Sequence, residues 1–521
     1  MSLAADVERL LRYGQAHGLL KEEDRIPARN ALLDLFRLEE PLEGEAYDTI
    51  QAEPVPAMVT EIMDRLLDEA YRSGIMPDNT LTCRDLWDAR IMGLLMPRQS
   101  EVARQFWNTA KRSIRQATDE FYALSQASNY IRMDRISKNE YWVCDTPYGQ
   151  LQITINLSKP EKDPKEIADE RNAPKRNYPK CLLCVENVGY AGRLNHPARQ
   201  NHRVVPVNIA GEHWYLQYSP YVYYNEHSII FSAEHRPMQI EPATFTRLLD
   251  FASQFPHYFV GSNADLPIVG GSILNHDHFQ GGRHAFPMQR AEAERLYAHS
   301  SYPGVTAALV KWPLSVIRLS GKDRNALASL AAELLAHWRS YEDGDAEIIA
   351  FTETDGRKIP HNTITPIARV NEDGEYEMDL VLRNNRTSEE HPHGIFHPHQ
   401  ELHHIKKENI GLIEVMGLAV LPGRLQAELR EIRALLTGQR HYDANEIKRD
   451  EALAKHGSWI EELVRRSGTG LTEAQAMRVL QEAVGDKFLQ VLEHAGVFKQ
   501  TASGRSAFDR CMANAGLQRT K

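Results

Sequence analysis

The chain has 521 residues, enough for two to four structural units at roughly 100–200 residues each. Hydrophobic residues at 42% and charged residues at 25% exclude a disordered or collagen-like chain. With 61 Lys and Arg against 71 Asp and Glu, the formal net charge of −10 argues against nucleic-acid binding but not against a small phosphorylated ligand held locally.

The N-terminus reads Met-Ser-Leu-Ala-Ala-Asp, with no basic stretch and no apolar run behind it, so no secretory signal is expected. No apolar stretch of about 18 residues marks a membrane span, and the expected location is cytoplasmic. Residues 1 to about 130 read as several helices punctuated by Pro54, Pro56, Pro77 and Pro97. Over Glu101–Leu124 the apolar residues Val102, Phe106, Ala110, Ile114, Ala117, Phe121 and Leu124 keep to one helical face. Tyr141–Ile155 reads as a hairpin turning at Pro147-Tyr148-Gly149. Residues 160–180 carry Pro160, Pro164, Pro174 and Pro179 among charges and read as a linker or exposed loop. Strands are then expected at His202–Val207, Ser228–Ser232, Ile268–Leu274, Leu314–Leu319, Glu347–Phe351, Thr363–Val370, Glu377–Leu382 and Leu412–Leu421. Helices are expected at Pro242–Gln254 and Asp323–Tyr341, and again through 423–499, where Thr472 and Gln475 are spaced as a capping box.

Three stretches concentrate chemistry. In Gly270-Gly271-Ser272-Ile273-Leu274-Asn275-His276-Asp277-His278-Phe279-Gln280-Gly281-Gly282, an extended backbone turns His276 and His278 to one face. The glycines let backbone amides approach phosphate oxygens, and a neutral imidazole is a good nucleophile at phosphorus near pH 7. The competing reading is two half-buried histidines at a strand end. Second, Cys181-Leu182-Leu183-Cys184 suits one Zn²⁺ if two further ligands arrive, with His235 and His276 as candidates. A redox pair or two plainly buried thiols are the alternatives, because five cysteines are too few for a disulfide framework. Third, six of the 22 histidines (His391, His393, His397, His399, His403 and His404) fall between residues 391 and 404, beside Arg383, Arg386, Lys406 and Lys407. That tract reads as a metal or anion site, or as a polar surface loop. No G-x-x-x-x-G-K-[ST] loop is present, so nothing supports the usual ATP chemistry.

Taken in order, Cys-Leu-Leu-Cys-Val-Glu-Asn (181–187), Ser-Ala-Glu-His-Arg-Pro (232–237), His-Asp-His-Phe-Gln-Gly-Gly (276–282) and His-Asn-Thr-Ile-Thr-Pro (361–366) resemble the type 2 hexose-1-phosphate uridylyltransferases of the histidine-triad superfamily. The resemblance runs from about residue 140 to 425, and the helical flanks look like those of long type 2 members. It implies an α+β fold: a histidine-triad-like, antiparallel-rich sheet core duplicated as two half-barrel units, with helical additions at both ends. The expected segments are 1–135 helical, 136–320 the first triad-like unit, 321–425 a second sheet-containing unit and 426–521 helical.

The resemblance also implies an activity: exchange of UMP between UDP-glucose and galactose-1-phosphate through a covalent uridylyl-histidine. By match to the H-x-H-x-Q form of the triad, His278 is the expected nucleophile and Gln280 the donor to phosphoryl oxygens. The class I relatives carry proline and glycine where this chain has Asp277 and Phe279, so their loop geometry does not transfer wholesale. Cys181, Cys184, His235 and His276 match the zinc ligands of those relatives, which makes zinc the expected, structural cofactor. Asn187, Asn263, Gly271 and Ser272 are the expected substrate contacts, and a homodimer without nucleic-acid or membrane partners is the expected assembly. The rivals are a related nucleotidyl transferase, such as a dinucleoside polyphosphate phosphorylase, and a non-catalytic nucleotide-binding regulator.

Overall fold

A computed structural model of the chain describes residues 2–158, 176–271 and 273–520. It is an α+β protein whose strands pair almost wholly antiparallel. In chain order these are β1 (Glu140–Thr146), β2 (Gly149–Asn156), β3 (Val205–Ile209), β4 (Glu212–Tyr218), β5 (Ser228–Ser232), β6 (Phe259–Gly261), β7 (His278–Gly282), β8 (Ala293–His299), β9 (Thr306–Val310), β10 (Val316–Gly321), β11 (Phe351–Thr354), β12 (Arg357–Pro360), β13 (Asn362–Val370), β14 (Tyr376–Asn384), β15 (Leu418–Pro422) and β16 (Leu517–Arg519). Among the described residues no helix is long and apolar enough to cross a membrane.

Compactness groups the chain into two units, each assembled from stretches distant in sequence. The first unit is Met1–Lys138, Ser158–Arg236 and Asn275–His278. Its helices pack Leu10, Leu11, Leu32, Phe36, Leu66 and Leu67 into a buried core. Tyr130 fastens the helical part to the antiparallel ribbon β3-β4-β5: its ring stacks on His202 at 4.2 Å and its hydroxyl donates to the Tyr218 carbonyl at 3.1 Å. Residues 275–278 join the end of β5 through the Ser232 N–H, which donates to the Asp277 carbonyl at 2.9 Å.

The second unit is Asn139–Leu157, Pro237–Leu274 and Phe279–Lys521. Its strands run β16-β8-β9-β10-β14-β13-β6-β7, with β1-β2-β15 as a smaller sheet in which β15 lies parallel to β2. Strands β13 and β14 are buried on both faces. There Asp379 bridges two buried guanidiniums, Arg318 at 2.6 Å and Arg369 at 2.7 Å, which hold its carboxyl below the usual range despite burial.

Several expected elements form where their signals lay. The Pro242–Gln254 helix has the expected bounds, with proline in its first turn and Glu241 and Thr244 forming a capping box. Asp323 caps Arg324–Ser340 by accepting from the Asn325 N–H, and Thr472 caps Glu473–Ala495. Other expectations need correction. The 101–124 stretch breaks into Gln99–Ala110 and Ile114–Ala127, because the Ser113 side chain accepts from the Gln116 N–H and starts a new helix. Ile268–Leu274 is not a strand: Ile268 sits at φ 72°, and Gly270 packs where a Cβ would meet the Ala264 carbonyl oxygen at 2.5 Å. Leu412–Leu421 opens as a helical turn, Leu412–Val415, capped by the Glu414 carboxylate on the Gly411 N–H, before β15 begins. The expected strand from Glu347 starts only at Phe351, after Glu347 turns at φ 57°. The expected start at His202 moves to Val205, because the His202 ring is held by Gln217 Oε1 at 2.9 Å. Of the 160–180 linker, Pro160, Pro164 and Pro174 lie outside the described residues, as does Ser272.

Candidate active site

In the first unit the Cys181–Cys184 turn is shaped by Asn187, whose amide donates to the carbonyls of Cys181 and Cys184, both at 2.8 Å. Its Oδ1 meets His196 Nε2 at 2.7 Å. The turn brings the Cys181 and Cys184 sulfurs to 3.5 Å. His276 Nδ1 lies 3.2 Å from Cys181 Sγ and 3.7 Å from Cys184 Sγ, and His235 Nδ1 lies 3.1 Å from Cys184 Sγ. Ligand atoms around a tetrahedral Zn²⁺ stand about 3.3–3.8 Å apart; the two thiols and two imidazoles come close to that spacing, all within 4.8 Å of one another, and their chemistry fits the metal. His276 Nε2 donates to the Ser232 carbonyl at 2.8 Å, which fixes the tautomer that turns Nδ1 to the thiols. Burial, helped by the neighbouring Cys181 thiol, pushes the Cys184 thiol up to about 12, a cost that a cation would remove by stabilising thiolate.

Two residues further on, His278 opens β7. Its Nδ1 donates to the His276 carbonyl oxygen at 2.8 Å, leaving the lone pair on Nε2. Burial pushes this imidazole down to about 4, so the ring is neutral at pH 7. Gln280 follows on the same face of the strand, and its Oε1 is buried without a hydrogen-bond partner among the described residues. The backbone carbonyl of one candidate metal ligand thus orients the candidate nucleophile.

Residues 19–237 match the family described as galactose-1-phosphate uridyl transferase, N-terminal domain, and residues 251–447 match its C-terminal domain. The chain belongs to the galactose-1-phosphate uridylyltransferase family. It is 58% identical over 517 residues to the galactose-1-phosphate uridylyltransferase of Caldanaerobacter subterraneus subsp. tengcongensis, covering 99% of this chain and 98% of that protein. Against the Bacillus subtilis galactose-1-phosphate uridylyltransferase it is 50% identical over 523 residues, covering 100% and 99%. A solved yeast Ap4A phosphorylase in complex with Ap4A is 12% identical, with 68% of this chain and 96% of that chain covered, at a TM-score of 0.35.

Within this galactose-1-phosphate uridylyltransferase family member, the expected substrate contacts divide. Asn187 spends its amide inside the cysteine turn and organises that turn rather than offering a free donor. In the second unit, Asn263 Oδ1 accepts from the Leu412 N–H at 2.8 Å, and its Nδ2 lies where a Cβ on Gly271 would come within 2.7 Å, so Asn263 and Gly271 share one tight spot. The histidine tract splits: His399 groups with Glu401 and His494, whereas His404 meets the buried His456 at 2.7 Å and His456 meets Glu428 at 2.9 Å. Sequence reasoning missed the role of Asp277. Arg236 donates to Asp277 Oδ2 at 3.1 Å and to Glu212 Oε2 at 2.7 Å, while the Asp277 N–H donates to the Arg236 carbonyl at 2.7 Å. Side chain and backbone together therefore bolt the residue beside His235 to the residue between His276 and His278. The adjacency of Arg236 to His235 and of Asp277 to both histidines was the available signal.

Proposed function

We propose that this chain exchanges UMP between UDP-glucose and galactose-1-phosphate, with His278 Nε2 as the nucleophile. The observation that carries the assignment is the Nδ1–H bond to the His276 carbonyl, which leaves Nε2 unprotonated and aims it. In the first half-reaction Nε2 bonds to the α-phosphorus of UDP-glucose, the bond from that phosphorus to the bridging oxygen breaks, and glucose-1-phosphate leaves with the electron pair. In the second, a phosphate oxygen of galactose-1-phosphate attacks the same phosphorus, the N–P bond breaks, and UDP-galactose leaves. Positive charge on the uridylylated ring is stabilised by the same Nδ1–H bond. Both steps exchange one phosphoryl linkage for another, so one site serves both. The Gln280 amide donates to phosphoryl oxygens without supplying an acid or base for water, which favours transfer over hydrolysis.

Cys181, Cys184, His235 and His276 would hold Zn²⁺, whose contribution is to fix the backbone at His276 and so the ring of His278. Asn263 and Gly271 remain proposed substrate contacts, and Ser272 stands with them by its place beside Gly271. A homodimer, implied by the family resemblance, and a cytoplasmic location are two further parts of the proposal. The assignment is tested with His278→Asn, expected to abolish exchange of label between UDP-glucose and glucose-1-phosphate while leaving the melting temperature within about 2 °C. Turnover near wild type in that variant would reject His278 as nucleophile.

A further inference from the structure

Asn187 closes the cysteine turn, and its own orientation has to be set by something. A carboxamide has nearly the same shape at both ends, so burial of Asn187 does not decide which end faces the turn. Turned the other way, it would point its oxygen at the carbonyls of Cys181 and Cys184, three acceptors with no donor among them. His196 decides the matter. Its Nε2 stands 2.7 Å from Asn187 Oδ1, and because both hydrogens of Nδ2 go to the two cysteine carbonyls, the imidazole is the donor. The amide then gives two hydrogen bonds to the turn and receives one on its oxygen.

His196 is itself held from several sides. It is 7% exposed, and its backbone exchanges two hydrogen bonds with Arg193: the His196 N–H donates to the Arg193 carbonyl at 2.9 Å, and the Arg193 N–H donates to the His196 carbonyl at 2.8 Å. Its ring stands edge-to-face with Tyr190, centroids 5.5 Å apart, and Arg193 Nη1 donates to the Tyr190 hydroxyl at 2.7 Å. The Tyr190 N–H donates to the Asn187 carbonyl at 2.9 Å, so the loop carrying His196 returns to the residue that His196 holds. Burial, with the charges of Arg193 and Arg199 behind it, pushes the ring down to about 4, which leaves a neutral imidazole with a single N–H at pH 7. That N–H goes to Asn187. His196 is not one of the four candidate ligands, Cys181, Cys184, His235 and His276, so its hold on the site runs through the turn alone.

We propose that His196 is a positioning residue of the metal turn: its Nε2–H locks the Asn187 amide in the one orientation that holds the Cys181 and Cys184 carbonyls, and so presents both sulfurs together to a metal ion. This role rests on the zinc reading of the proposed function. A turn closed before the ion arrives loses less freedom on binding it, so the effect of His196 falls on metal affinity rather than on the transfer step. Without the donor, Asn187 Oδ1 is buried unpaired and the amide is free to turn over.

The test uses the full-length, zinc-loaded protein as wild type, His196→Phe, which keeps a ring and loses the donor, and His196→Gln, which keeps an N–H donor on a side chain of similar reach. Zinc affinity is measured by competition with a chromogenic chelator, and the melting temperature with and without zinc. His196→Phe is expected to bind zinc about 10–100-fold more weakly, the usual loss for an outer-shell contact, while His196→Gln recovers most of it. The extra stability that zinc confers should shrink by about 1.4–2.7 kcal/mol in His196→Phe, the same change expressed as energy. At saturating zinc, uridylyl transfer by His196→Phe should return to near the wild-type rate; a rate that stays low there would place His196 in the reaction and overturn the assignment. Unchanged zinc affinity in His196→Phe, an equal fall in melting temperature with and without zinc, or a His196→Gln protein as weak as His196→Phe would overturn it as well. In an Asn187→Ala background the His196→Phe change should add no further loss of affinity, and an added loss overturns the route through Asn187. If His196→Phe does not fold, His196→Asn, whose shorter side chain stops short of Asn187, replaces it under the same criteria. A wild type that takes up no zinc rejects the metal reading itself, whereas normal uptake in wild type and variants alike rejects only the role of His196.

Discussion

Side-chain tautomers set the chemistry at the scale of single residues. His276 and His278 differ in which ring nitrogen is free: His276 donates through Nε2 to Ser232 and presents Nδ1, whereas His278 donates through Nδ1 and presents Nε2. The alternation suits the first ring to a metal and the second to phosphorus. Cys184→Ser is predicted to remove a ligand that a serine hydroxyl does not replace. Zinc measured by mass spectrometry should fall from about one per chain to near none, and uridylyl transfer should drop with it. Full activity in a zinc-free Cys184→Ser protein would show that the cluster does not position His278. Asp277→Asn keeps the shape at that position but loses the charge paired with Arg236. Metal affinity should weaken about 10–100-fold, as expected for an outer-shell contact, and competition with a chromogenic chelator measures it. The four cluster residues were legible from spacing and family resemblance. Asn187 was not, because its type suits a ligand contact equally well and only the fold reveals that its amide closes the cysteine turn.

Among the elements, the most legible were those whose local signals agreed. Pro242–Gln254 and Thr472 onward carry caps, apolar spacing and breakers that all point the same way, so local rules sufficed. Ile268–Leu274 carries an apolar, β-branched sequence yet becomes a loop, since the glycine pair is packed against backbone and the Asn263 amide. A short apolar run is equally ambiguous at Leu412–Leu421, where a capping carboxylate makes a helical turn of the first half. Strand β4 was overlooked although Trp214, Leu216 and Tyr218 alternate inward. The pairing of β10, β13 and β14 depends on Asp379 lying between Arg318 and Arg369. Asp379→Asn leaves two buried guanidiniums without their counter-charge and is predicted to destabilise the fold by about 3–5 kcal/mol, read from denaturant unfolding. A change under about 1 kcal/mol would mean that the buried pair contributes little beyond packing.

Across the whole molecule, many histidines are buried as neutral rings. Burial is the largest cause in each case: His202 and His404 are pushed down to about 3, and His196, His284 and His494 to about 4. The unfolded chain takes up these protons near pH 6.5, so below that pH it binds more protons than the native state. Stability is therefore complete above about pH 6.5 and is lost as pH falls toward 3–4. Glu428, held down to about 2 by His456, Lys455 and Arg424, loses its contribution in the same direction once pH drops below its ordinary range near 4.5. The melting temperature should fall steadily from pH 7 to pH 5, and should do so in the Cys184→Ser variant as well, which separates the effect from metal loss. A flat profile across that interval would contradict it. The proposed function comes, at this scale, to one atom, Nε2 of His278. The most direct measurement is to mix the protein with UDP-glucose alone, quench within seconds, and locate the adduct by peptide mass spectrometry. The account predicts a UMP-sized addition on the peptide bearing His278, discharged when galactose-1-phosphate is added. An adduct on another residue, or turnover with no adduct at all, would contradict it.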